Sequence, residues 1–215
     1  MNKIFAAGAM LLAVSACSAL FPAAAPHPAF YSLDSPRKAA PPTIPATTAP
    51  TLTVNPPLAA AGFDSPRIIY IREAHKLEYF AHSEWVDPPA RMLAPLLVAA
   101  IERSGAFRAV VLTPSAAAGD LRLDTEIIRL QQEFGARPSH VRFTLRAYLI
   151  DDKTRRALGW REFDASVAAA SEDPYGGVVA ANRAVQTVLE GLAAFCAETA
   201  QSGGANARPR PPQGE

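Results

Sequence analysis

The side chains that could do chemistry are few and far apart along the chain. The four histidines are His27, His75, His82 and His140, and the two cysteines are Cys17 and Cys196. No pairing among them has the close spacing of a metal-ligand set. His75 and His82 fall in turn-like stretches and read as exposed loop residues. Asp151 and Asp152 are adjacent in a turn, so their carboxylates point apart, and they read as turn formers instead of an acid–base pair. Glu172 and Asp173 read as helix-start electrostatics. Gly176 and Gly177 open the same helix but lack the lysine and the spacing of a phosphate loop. No serine sits in a nucleophile-elbow context. Cys196 lies in a helical apolar pattern and reads as a small buried hydrophobe. No enzymatic reaction, metal or cofactor is called for.

That leaves Cys17, whose neighbours are informative. Lys3 makes a short positive start, and residues 4–14 form an apolar run too short to span a bilayer as a stable helix. Val14-Ser15-Ala16-Cys17 then closes the run. This string resembles a bacterial lipoprotein signal. The resemblance implies cleavage after residue 16, diacylation of the Cys17 sulfur and acylation of its new amine. Two or three acyl chains hold a protein firmly to a membrane, at about 0.8 kcal/mol per buried CH₂.

Lysine and arginine number 21 against 20 acidic residues, and loss of Lys3 with the signal makes the balance 20 to 20. No excess positive charge is available for counterion release, which argues against a nucleic-acid partner. Four segments emerge from composition: a signal at 1–16, an Ala/Pro-rich tether at 17–50 with a short strand near 30–33, a globular domain at 51–200, and a disordered Gly/Pro/Arg tail at 201–215.

Within the domain, residues 51–54, 67–72, 77–80 and 107–112 read as short strands. The run Ile68-Ile69-Tyr70-Ile71 has the character of a strand buried on both faces. The stretches 121–130, 141–149 and 161–167 instead alternate apolar and polar residues, which predicts strands with one packed and one wet face. Opposite charges on that wet face are placed to pair across strands. A helix is predicted after Asp87-Pro88-Pro89, with Leu93, Leu96, Leu97, Ala100 and Ile101 on its apolar side, Pro95 inside it and Gly105 stopping it. A second helix, capped by Asp173, is predicted to run to about residue 199. The fold class expected is α+β, a mainly antiparallel sheet with two helices packed on one face.

Phe63, Tyr70, Tyr79, Phe80 and Trp85 crowd one region. Two readings stand for them: core packing, or an exposed patch for a partner, where aromatic residues and arginine concentrate. On the second reading Tyr79, Trp85, Asp87 and Arg91 border a partner surface.

The strings LTVNPPLAAAGFDSPRIIYIR (52–72), LEYFAHSEWVDPPARMLAPLL (77–97), LRLDTEIIRLQQEF (121–134), VRFTLRAYLID (141–151) and SEDPYGGVVAAN (171–182) together resemble the ABC-type transport auxiliary lipoproteins, which include the PqiC-like lipoproteins. The likeness covers nearly all of the globular part. It implies a non-enzymatic lipoprotein of the outer membrane, facing the periplasm. Its partner would be an inner-membrane-anchored MCE-domain protein of an ABC transport system moving phospholipid or another hydrophobic molecule. A homo-oligomer is compatible with this setting. Ser18, not Asp, follows Cys17 and by analogy favours outer-membrane sorting. The alternative function is a lipid-binding periplasmic module that itself carries an acyl ligand.

Overall fold

The computed structural model describes residues 27–34 and 48–206. The signal, Cys17, most of the tether and the last residues of the tail lie outside the described residues. The elements in chain order are β1 (Ala29–Tyr31), β2 (Thr51–Val54), β3 (Leu58–Ala59), β4 (Arg67–Ile71), β5 (Glu78–Trp85), α1 (Pro89–Glu102), β6 (Ala109–Leu112), β7 (Leu121–Glu133), β8 (His140–Asp151), β9 (Ala157–Ala168) and α2 (Pro174–Asn206).

The α+β architecture with two helices is as expected, but the sheet is mixed and not mainly antiparallel. β7, β8 and β9 form an antiparallel meander, and β4 pairs antiparallel with β5. The other edge of β7 carries β2, β3 and β4, all parallel to it. The cause is visible in the chain. Residues 51–71 run beside β7 as one interrupted strand, with Leu52 against Leu121, Leu58 against Glu126 and Ile69 against Gln131. Pro56 and Pro57 have no N–H to donate to a ladder, so the path breaks there. The Asn55 and Ala60 amides nevertheless still donate to the Leu123 and Ile127 carbonyls. β6 also lies parallel to β2 after the chain returns through α1.

The alternation read from the sequence sets which face is packed. Val141, Phe143, Leu145, Ala147 and Leu149 of β8 are all buried. On β7 the buried series Leu121, Leu123, Thr125, Ile127 shifts phase at a bulge before Arg129 and continues as Leu130 and Gln132. α2 covers β8 and β9, and α1 packs on β6 and against α2. The helix stripes Leu93, Leu97, Ile101 and Val185, Leu189, Leu192 close the core. Each such side chain contributes about 1.5–3 kcal/mol on burial.

The start of α2 explains its glycine pair. Asp173 caps it, accepting from the Gly176 amide, and Ser171 donates its hydroxyl to the same carboxylate. A side chain at Gly177 would collide with the Gln132 amide oxygen, and one at Gly176 with Ser171. The glycines therefore let the first turn of α2 press against β7. α2 continues to Asn206, past the end read from the sequence, with the Ser202 hydroxyl donating to the Glu198 carbonyl. α1 starts at Pro89 without a side-chain cap and keeps Pro95 on its exposed side.

Residues 29–34 belong to the fold. β1 pairs parallel with β5, Ala29 against Ser83 and Tyr31 against Trp85. Leu33 is buried. Asn182 of α2 clamps this segment: its carbonyl accepts from the Asp34 amide at 2.6 Å, and its NH₂ donates to the Ser32 carbonyl at 3.2 Å. Asn182→Ala is expected to speed amide exchange of residues 32–34 about tenfold, the equivalent of one or two net hydrogen bonds. Exchange measured by mass spectrometry, with β7 and β8 as unaffected references, checks it.

Candidate docking surfaces

The residues expected to border a partner surface fall in three different settings. Trp85 is 3% exposed and part of the core. Tyr79 is 50% exposed, with the Arg67 guanidinium 4.2 Å above its ring. Asp87, just before α1, and Arg91 in its first turn form an ion pair of 3.1 Å, largely open to solvent. The crowded aromatic region thus divides. Phe63, Tyr70 and Trp85 are buried, Phe80 is half-buried and Tyr79 is outside. Tyr70 and Phe80 meet at 4.5 Å between ring centroids, and Phe134, which the sequence reading left out, joins them edge-on.

Beside Tyr79 lies an open groove of about 670 Å³, with Ile69, Leu77, Glu78, Arg67 and Glu84 among its walls. Its lining mixes apolar and charged groups. Between sheet and helix, by contrast, the space beside Trp85, Gln132 and Gly177 is about 10 Å³. That is the scale of a single water, not of an acyl chain.

A second exposed aromatic surface lies on the wet face of β8 and β9. Trp160 is 63% exposed and stacks on Tyr148 with 6.3 Å between centroids and 27° between planes. Around it the charges pair across strands as the alternation predicted. Arg146 bridges Glu162 at 3.0 Å and Glu126 at 3.7 Å, and Arg142 bridges Asp164 at 3.0 Å. Thr144 adds its hydroxyl to Asp164. The Arg142 hydrogen bonds are the main reason the Asp164 carboxyl lies below the usual aspartate range; partial burial opposes them and Thr144 assists. Trp160 was missed from sequence. The signal was there: it shares parity with Glu162 and Asp164, so it belongs to the wet face.

Among the described residues no three His, Cys, Asp or Glu side chains gather as a metal-binding group. His75 is exposed in a turn, as expected; His82 is exposed too, but it sits on strand β5 and not in a loop. Cys196 is fully buried, and burial pushes its thiol up to about 12.

Solved structures share this fold over most of the chain. A crystal structure of a protein from Xanthomonas campestris superposes with a TM-score of 0.70 at 24% identity, covering 82% of this chain and 98% of that one. A second, of an uncharacterized protein, gives 0.62 at 12% identity, covering 80% and 99%. The sequence matches none of the curated proteins compared with it. The family model for the ABC-type transport auxiliary lipoprotein component matches residues 31–193, and the chain belongs to that family.

The two tryptophans give opposite expectations. Trp85→Ala should cost about 3–5 kcal/mol in urea unfolding, as a large core truncation does. Trp160→Ala should stay within about 0.5 kcal/mol of the parent. Acid sensitivity follows from Asp164. A folded-state value below the unfolded one stabilises the fold above the ordinary aspartate range near ~3.9, and that contribution disappears as pH falls through the lower folded value. Asp164→Asn should therefore flatten the loss of stability below about pH 4, read by urea midpoints between neutral and acid pH.

Proposed function

We propose that the protein is a non-enzymatic lipoprotein of the outer membrane, acylated at Cys17 and facing the periplasm. It serves as the auxiliary component of an ABC transport system. Its partner is an inner-membrane-anchored MCE-domain protein, and the cargo is phospholipid or another hydrophobic molecule. The family membership supports the transport role. The observation that carries docking, as opposed to lipid carriage, is Trp160 standing exposed on Tyr148 within an arginine–carboxylate ladder. Aromatic side chains flanked by arginine are what interface centres are made of. The carboxylates there are paired with arginines across the strands. The narrow space beside Trp85, Gln132 and Gly177 weighs against an acyl chain lodging at that place. The segment 1–16 acts as the cleaved signal on this reading, and the 18–28 stretch as the leash.

A photo-crosslinking residue at position 160, used in cells, tests the proposal. It is expected to capture the MCE-domain protein. Cys17→Ala should abolish acyl labelling, release the protein from the membrane fraction and lower that crosslink at least severalfold. Persistent membrane attachment of Cys17→Ala would refute the anchor, and a position 160 that never meets an MCE protein would refute the docking role.

A further inference from the structure

The seating of β1 on β5 fixes where the anchor leaves the fold. Only twelve residue steps separate Cys17 from Ala29, a reach of at most about 40 Å when fully extended. The chain enters at one end of the molecule, where the early turns of α2 hold Ser32 and Asp34 through Asn182. At that end Phe30 is 59% exposed and pairs with Glu84, which in turn pairs with Arg67. These three residues share one face of the sheet, because directly opposed residues do. Arg67 then leads to Tyr79 by stacking. Leu77 and Val86, both exposed, complete the apolar rim. Charges around it lean acidic: Arg67 lines the groove with Asp64, Glu78 and Glu84, and Lys76 pairs with Glu73 and Glu78.

We propose that this end, led by Phe30 and Tyr79, rests on the lipid surface that holds the Cys17 anchor. The inference depends on Cys17 being acylated, and deepens that reading by orienting the domain. Two features favour lipid over a protein occupant. The leash delivers this end to the bilayer first. Tyrosine and phenylalanine with a guanidinium beside them suit the headgroup boundary, where an apolar body and a polar tip are both accommodated. Trp160 lies elsewhere. Its strand neighbour Gly159 meets Phe195 and Thr199 of α2, thirteen or more residues beyond Asn182, or about 20 Å along the helix. The orientation therefore turns the Trp160 surface away from the anchor.

The test uses the acylated full chain in vesicles of phosphatidylethanolamine and phosphatidylglycerol, some made with brominated acyl chains. An environment-sensitive fluorophore is placed in turn at Phe30→Cys, Tyr79→Cys and Trp160→Cys, with Cys196 shielded by burial. Bromine is expected to quench the labels at 30 and 79 at least twofold and to leave the label at 160 unchanged. Hydrogen exchange of residues 29–31 and 77–80 in the unsubstituted protein, with and without vesicles, should slow in parallel and covers the case of a label that disturbs folding. Protein that floats with the vesicles while 30 and 79 stay unquenched overturns the orientation and leaves the anchor standing. Protein that does not float overturns the anchor and the orientation together. Protection at 30 and 79 without bromine quenching marks a protein contact instead, and equal quenching at 160 also overturns the proposal.

Discussion

The structure depends on the hydrogen-bonding capacity of β7. This strand is thirteen residues long and both its edges are used. An interior strand whose backbone groups were left unpaired would cost about 1–3 kcal/mol for each buried group. β8 satisfies one edge over nearly its full length, and β2, β3 and β4 share the other. The long meander on one side makes a broad wet face. The relay of short strands on the other side brings β5, and through it β1, into the same sheet. β1 and the exposed tryptophan are thus attached through opposite edges of one strand.

The two edges also divide the labour of stabilisation. Leu52, Leu123, Ile127, Phe143 and Leu145 form a continuous buried layer under both helices. The outer face is held by paired charges in water, where each exposed ion pair contributes only about 0–1 kcal/mol. The wet face can accordingly carry substitutions and partner contacts at small cost to the fold. At the free edge of β9, Arg161 lies on the helix side, over the rings of Phe163 and Phe195. A charged residue turned inward on an edge strand discourages another strand from adding there.

Much of this was legible in the residues, and the failures have physical reasons. Strict alternation in 141–149 identified β8, its buried face and its charged face. The helix stripes of α1 and α2 were equally plain. The mixed sheet was missed although its mark was visible: Ile68, Ile69 and Tyr70 are buried in succession, and strands covered on both faces are typical of parallel neighbours. The bulge in β7 was hidden because Ile127 and Ile128 are both apolar, so a change of phase leaves no gap in the pattern. Burial of Gln132 follows from the approach of Gly177 on a distant helix and has no local signature. For the surface, residue type alone could not rank Trp85 against Trp160; face parity along β9 could, once its strand limits were known.

Cys196 carries one more consequence. A free sulfhydryl is open to exchange with any disulfide that can reach it. Here the sulfur sits wholly inside α2's packed side and is held in its protonated form, whereas exchange needs the thiolate. The closed fold therefore slows exchange at Cys196. Any adduct that does form there would be a record of the chain having opened.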